Sequence, residues 1–251
     1  MQAPNFRVDG KRALVTGGSR GIGFATAFAL AHAGAQVVIA SRDEDTLKLA
    51  QSKLQSQGLS VDISPLDVTD DEAVRQLFAS HEPFQIVVNN AGGNRPGPLL
   101  SMSDDDIDLV LKLNVKSTLM VSREAIGGMI SAGRGGSIIN LSSQYGYIGA
   151  PERTIYSAAK HGVEGLTKSL AWEVGQYGIR VNAVAPSLIE TDMTRARLAD
   201  PAVRAKLAGL SALNRVGQPE DMTGAILFLA SDASSYITGT AIRIDGGTTA
   251  V

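Results

Sequence analysis

The sequence predicts an α/β fold: a single doubly wound domain whose seven parallel strands carry helices on both faces. Three observations predict it. Short apolar runs rich in Val and Ile, of the kind buried on both faces of a parallel sheet, recur along the 251 residues. Amphipathic stretches of helix length separate them, and such connections return the chain in right-handed crossovers to a parallel neighbour. The length suits one α/β domain spanning 1–251, and the chain shows no internal repeat, low-complexity tract or linker.

In chain order, strands are expected at 13–15, 36–40, 61–63, 85–88, 137–141, 180–184 and 241–244, with 61–63 the weakest pattern. Residues 22–33 read as the first helix, with Gly34 just past its end, where a left-handed residue closes a helix. Residues 43–57 open on acids that suit the positive helix end, space Leu47, Ala50 and Leu54 along one face, and stop at Gly58. Thr69 and Glu72 read as a capping box that starts a third helix. Pro219-Glu220-Asp221 opens a late helix through Ala230. Between the sixth and seventh strands lies a long insertion, 187–218, with Arg195, Arg197, Arg204, Lys206 and Arg215 around a break at Pro201. Such connections serve as lids or binding loops, although a solvated pair of helices reads the same way.

Bulk properties narrow the function. The 23 basic and 25 acidic residues leave a net charge of −2, and the basic ones are scattered, which argues against nucleic acid as a partner. No apolar run approaches the ~18 residues of a membrane span, and residues 1–10 lack the apolar core of a signal peptide. No membrane partner is expected. Cysteine is absent, which removes disulfides and thiolate metal sites and suits a cytoplasmic location. His32, His81 and His161 stand far apart without ligand spacing, so no metal is expected.

The first strand runs into Thr16-Gly17-Gly18-Ser19-Arg20-Gly21-Ile22-Gly23. The spacing of Gly17, Gly21 and Gly23 differs from G-x-G-x-x-G, but the physics is shared. Gly17 turns the chain off the strand, Gly21 lets backbone approach a pyrophosphate, and Gly23 lets the helix pack closely. The helix start at Ile22 offers free N–H groups to the anion. This is a dinucleotide cradle of the Rossmann type. The second strand ends not in an acid, which would hold a ribose hydroxyl, but in Ser41 and Arg42. A guanidinium pairs with a 2′-phosphate, and Arg20 can flank the same group, so NADP(H) is expected over NAD(H). Asp43 and Glu44 sit where a helix N-terminus wants acids.

Tyr156 and Lys160 are four apart on a helical stretch and share one face. An ammonium beside a phenol favours the phenolate, so the pair is expected to exchange a proton near neutral pH, with Lys160 lowering the tyrosine. Ser143 follows the fifth strand, at the carboxyl edge where α/β sheets bind ligands, and can hold a substrate oxygen.

With these motifs in order, the chain resembles the short-chain dehydrogenase/reductase family along nearly its whole length. The resemblance implies a catalytic set of Ser143, Tyr156 and Lys160, with Asn114 holding a water linked to the lysine. It implies that Lys160 also binds the nicotinamide ribose and that Asp67, next to Val68, contacts the adenine. Asn89-Asn90-Ala91-Gly92 would stabilise the sheet and meet the adenosine ribose. Asn182-Ala183-Val184-Ala185-Pro186 would cradle the nicotinamide, with Ile189 and Thr191 at its carboxamide. The tail segments 237–239 and 245–247 match as well.

Within the family, 188–194 and the glycine loop look like those of 3-oxoacyl-(acyl-carrier-protein) reductases. The implied reaction interconverts a ketone and a secondary alcohol by hydride transfer. A 3-oxoacyl thioester is one substrate class; sugars, polyols and steroids are others. A non-catalytic dinucleotide sensor is the reading from a different class, and the complete Ser143, Tyr156 and Lys160 set argues against it. Those reductases carry a basic residue where this chain has Trp172, on the face that meets the acidic carrier, which counts against an acyl-carrier protein as partner. The family's glycine after Pro186 is Ser187 here, an expected restriction on the backbone. The substrate pocket is expected from 94–100, 144–153 and 187–210. A homotetramer is implied by the resemblance, with the apolar segments 225–230 and 241–244 as contact surfaces.

Overall fold

The computed structural model describes residues 3–250. Seven strands form one parallel sheet: β1 Arg12–Thr16, β2 Gln36–Ser41, β3 Val61–Pro65, β4 Ile86–Asn89, β5 Gly136–Leu141, β6 Ile179–Pro186 and β7 Ala241–Ile244. Their order across the sheet is β3-β2-β1-β4-β5-β6-β7. The winding reverses between β1 and β4, and the crevice beyond the carboxyl ends of those strands is where such sheets bind ligands.

The strands read as continuous apolar runs because both faces are covered. Val15, Ile39, Val88 and Ile139 point into one core layer, and their chain neighbours Leu14, Val38, Val87 and Ile138 point into the other. The helices α1 Gly21–His32, α2 Glu44–Gln55 and α9 Pro219–Ala230 fill the first layer through Leu30, Leu54 and Ile226. The second is filled from α3 Asp71–Ala79, α5 Ser117–Ala132 and α6 Thr154–Val174, by Leu77, Met129 and Val174. Among the described residues, no helix is long and apolar enough to cross a membrane.

One expected signal is misplaced. Thr69 does not cap α3. Asp70, one residue later, accepts from Glu72 N at 2.9 Å and Ala73 N at 3.1 Å. The Thr69 hydroxyl instead donates to Asp67 at 2.8 Å, and Glu72 turns outward to Arg75. A carboxylate at the cap position competes well with a hydroxyl, and Asp67 engages that hydroxyl first.

The helix α4 Asp104–Leu111, whose cap Ser103 accepts from Asp106 N at 3.1 Å, and α5 are joined by a π-helical turn at Lys112–Lys116 and lie between β4 and β5 in the chain. The insertion after β6 is a pair of short helices, α7 Asp192–Leu198 and α8 Pro201–Ala208, with Pro201 in the first turn of α8 and Asp200 as its cap. Of its cations, Arg195, Arg204 and Arg215 pair with Asp192, Glu190 and Asp221.

Candidate active site

The β1–α1 loop is shaped by glycine. Gly17 and Gly21 hold left-handed backbone at φ +64° and +53°. A Cβ on Gly23 would lie 2.2 Å from the Gly17 carbonyl oxygen, so no other residue fits without moving backbone. Arg20, the residue before α1, makes no capping bond with its side chain, which leaves the first-turn N–H groups and the positive helix end facing the crevice. Asn90 ties the loop down: its amide donates to the Thr16 and Gly17 carbonyls at 2.9 and 3.0 Å. The Thr16 hydroxyl in turn accepts from Asn90 N and Ala91 N, both at 3.1 Å. Asn89 lies beneath, bonded to Asn140 at 2.8 Å and Ser122 at 3.0 Å.

At the end of β2, the Ser41 hydroxyl is buried with no partner in the protein. Arg20 and Arg42 are exposed, and neither pairs with a carboxylate among the described residues. Asp43 is occupied elsewhere: it caps α2 by accepting from Thr46 N at 2.8 Å. Asp67 closes this corner. Burial alone would raise its carboxyl, but the N–H and hydroxyl of Thr69, with the charges of Arg42 and Lys112, hold it below the usual carboxylate range. An uncapped helix end, two free guanidiniums and an unpaired hydroxyl together suit a phosphorylated dinucleotide.

The other end of the crevice is lined by Tyr156 and Lys160 of α6. The Lys160 ammonium donates to the Leu141 carbonyl at 2.6 Å and lies 5.5 Å from the centroid of the Tyr156 ring. Tyr145 packs edge-on against that ring, centroids 6.2 Å apart. Ser143 begins a short turn after β5, and its Oγ accepts from Tyr145 N at 3.2 Å. Asn114 occupies the π turn, where its amide donates to the Gly93 and Val110 carbonyls, each at 2.8 Å. A Cβ on Gly92 would lie 2.9 Å from Asn114 Oδ1 and 3.7 Å from Lys160 Nζ, so Gly92 is the gap through which the two approach.

The expected electrostatics of the pair are corrected here. The net shift of the phenol is upward. Burial pushes the Tyr156 phenol up to about 12, against the lowering effects of the neighbouring Ser143 hydroxyl and of the Arg153 charge. Burial also pushes Lys160 down to about 8, with Glu164 opposing. The ammonium lies toward the ring and is committed to the Leu141 carbonyl, and for the phenol burial is the largest effect.

Residues 17–249 match the adh_short_C2 family, described as enoyl-(acyl carrier protein) reductase. A 3-oxoacyl-(acyl-carrier-protein) reductase of Chlamydia trachomatis is 43% identical over 242 residues, covering 94% of this chain and 96% of that protein. A short-chain type dehydrogenase/reductase from Mycobacterium marinum has a structure similar at TM-score 0.92, with 37% identity and 98% of each chain covered. A gluconate 5-dehydrogenase from Burkholderia cenocepacia, solved in complex with NADP and tartrate, is similar at TM-score 0.93, with 35% identity over 99% of this chain and 98% of that one. This chain is a short-chain dehydrogenase/reductase.

As in an oxidoreductase of that family, one cleft of about 470 Å³ runs from the glycine loop to the tyrosine. Ser19, Ile22, Val68, Ala91, Pro186 and Thr191 are on its wall with the residues above. Four expected site residues are not. Gly23 and Asn114 sit behind the surface, Ser143 is buried, and Ile189 is packed in the core with its Cδ1 against Gly217. Ile189 therefore supports the loop rather than presenting a side chain to the carboxamide position. Ser187 causes no strain: its φ is not positive, and its hydroxyl donates to the Asp245 carbonyl at 3.2 Å. Thr191 crosses over Gly21, with its Cγ2 3.1 Å from where a Cβ would be, so α7 covers the mouth of the cradle. Exposed Met193 of α7 also lines the cleft, a position only the fold reveals.

Proposed function

We propose that this enzyme interconverts a ketone and a secondary alcohol with NADP(H) in preference to NAD(H). The observation that carries the proposal is the continuity of one cleft from the free guanidiniums of Arg20 and Arg42 to the Tyr156 hydroxyl. When bound, the reduced cofactor supplies the hydride. Arg20, Arg42 and Ser41 would hold its 2′-phosphate, and the α1 N-terminus its pyrophosphate. In the reducing direction Ser143 donates a hydrogen bond to the carbonyl oxygen and Tyr156 gives that oxygen its proton. A phenol held near 12 by burial is fully protonated at neutral pH, as a proton donor must be. Lys160 places its charge beside the tyrosine and the ribose position, and Asn114 behind Gly92 connects the lysine to the interior.

Among substrates, Trp172 favours a small carbonyl compound such as a keto-sugar acid over an acyl-carrier protein. It is 91% exposed and presents an uncharged ring where an acidic carrier would need a cation. The gluconate 5-dehydrogenase similarity agrees with this. The half-buried edge strand β7 supports a homotetramer. Assays with 5-keto-D-gluconate, an acetoacetyl thioester and a steroid ketone, each with NADPH and NADH, test the proposal. It fails if no carbonyl compound is turned over while NADPH binds.

A further inference from the structure

Beneath the Tyr156 and Lys160 pair lies a buried acid, held by an outer phenol, that the reaction outlined above does not use. Glu164 is one helical turn beyond Lys160 on the same buried face of α6, and each is only 5% exposed. One carboxylate oxygen, Oε2, accepts from the Tyr147 hydroxyl at 2.9 Å. The other, Oε1, is buried with no partner in the protein, and so is the hydroxyl of Ser142. Both side chains border the space above Gly146: a Cβ there would lie 2.8 Å from Ser142 Oγ, 3.1 Å from Glu164 Cγ and 3.2 Å from the Lys160 carbonyl. An acid this deep is costly unless it balances a charge.

We propose that Glu164, anchored by Tyr147, is a positioning residue whose carboxylate is the counter-charge that keeps the buried Lys160 ammonium protonated. This rests on the catalytic role proposed for Lys160. The surroundings of Lys160 offer no rival. On its own helix stand Tyr156 and, near that ring, Arg153. From the β5 side come the Leu141 carbonyl and the neutral Ser142, Tyr145 and Tyr147. Across Gly92 stands the neutral amide of Asn114. A second cation, Arg243 of β7, lies 5.6 Å from the centre of the Tyr147 ring. Of the charged groups, Glu164 alone acts on Lys160 against the desolvation.

The test uses Glu164→Gln, which keeps the shape and can still accept from Tyr147. Thermal unfolding of the cofactor-free chain is followed from pH 6.5 to pH 10. A buried cation that has lost its counter-charge destabilises the fold only while it is charged. The variant is therefore expected to melt about 3–5 °C below wild type at pH 6.5, the gap closing as pH approaches 10. In a Lys160→Met background the same change should cost nothing, because no charge remains to balance. That arm also decides the matter if the single variant fails to fold: rescue by Lys160→Met supports the proposal, and failure in both backgrounds overturns it. A gap independent of pH, or no gap, overturns it too. In ketone reduction the high-pH limb of kcat should move down by about one pH unit, and superimposable profiles with a uniform loss of rate would show a purely structural acid. Absence of turnover in wild type would count against the proposed reaction and leave the unfolding result standing.

Discussion

The Lys160 ammonium sits 5.5 Å from the centre of the Tyr156 ring, bound to the Leu141 carbonyl and not to the phenol oxygen. Tyr156 is thereby left as a protonated donor at the end of the cleft, with Ser143 and Tyr145 as its neighbours.

Tyr156→Phe removes only the hydroxyl and keeps the ring that packs on Tyr145. Turnover should fall to less than about a tenth of wild type, a barrier increase above ~1.4 kcal/mol. NADPH affinity, measured by fluorescence titration, should change less than about threefold, well under the ~1.4 kcal/mol that a tenfold change represents. A variant retaining most of its rate would remove Tyr156 from the chemistry.

The pH dependence follows from two buried groups. Tyr156 stays protonated until about 12, so it does not set the alkaline limb. Lys160 loses its proton near 8, so the rate of ketone reduction should fall as pH rises through that value. Stability runs the other way. The folded value lies below the unfolded lysine value of about 10.5, so the cost of the buried charge is present in full below pH 8 and relieved between about 8 and 10.5. Lys160→Met should abolish that pH-dependent relief in urea titrations, and persistence of the same slope in the variant would assign it to another group.

Much of the fold was legible because the forces that specify it are local. Val15, Ile39, Val88 and Ile139 alternate with neighbours equally apolar, a pattern that only a strand covered on both faces requires. Asp43 was legible as an acid at a helix N-terminus, and the structure makes it the cap, accepting from Thr46 N. The Asp70 cap was missed because Thr69, one residue earlier, offers the same signal, and its hydroxyl is taken by Asp67 at a distance only the turn defines. The glycine loop and the Tyr156, Lys160 spacing gave the site its two ends. What Lys160 does to Tyr156 was not legible. The sign of that effect depends on desolvation against the direction of one ammonium, and neither is written in spacing. The π turn that carries Asn114 and the arrival of Met193 at the cleft likewise depend on how distant elements pack.

Gly23→Ala tests the cradle without touching charge. Its Cβ would meet the Gly17 carbonyl oxygen at 2.2 Å, backbone against backbone, so the loop must open. Overpacking of this kind costs about 1–3 kcal/mol. Melting should fall by several degrees, and NADPH affinity should drop at least tenfold, or ~1.4 kcal/mol, because the helix N-terminus leaves its place. Unchanged affinity in a destabilised variant would show that Gly23 serves packing alone.

Cofactor choice is the sharpest test of the strand end at Ser41 and Arg42. Asp43, the acid that follows the strand end and could favour NADH by meeting ribose hydroxyls, is engaged in capping α2. Among the described residues Arg20 and Arg42 have no carboxylate partner, and the Ser41 hydroxyl is buried without a hydrogen-bond partner. A charge-assisted contact to a phosphate is worth ~1.5–3 kcal/mol, or roughly one to two powers of ten. Arg42→Ala should therefore lower kcat/KM for NADPH by about 10- to 100-fold and that for NADH by little, since only NADPH carries the 2′-phosphate. Ser41→Asp should go further, repelling that phosphate and offering the ribose hydroxyls of NADH an acceptor, so that the preference inverts. The measurement is the ratio of kcat/KM for the two cofactors with one shared ketone. A wild-type ratio favouring NADH, or an Arg42→Ala variant that impairs both cofactors equally, would place the 2′-phosphate elsewhere and leave Arg42 as a solvated cation at the rim.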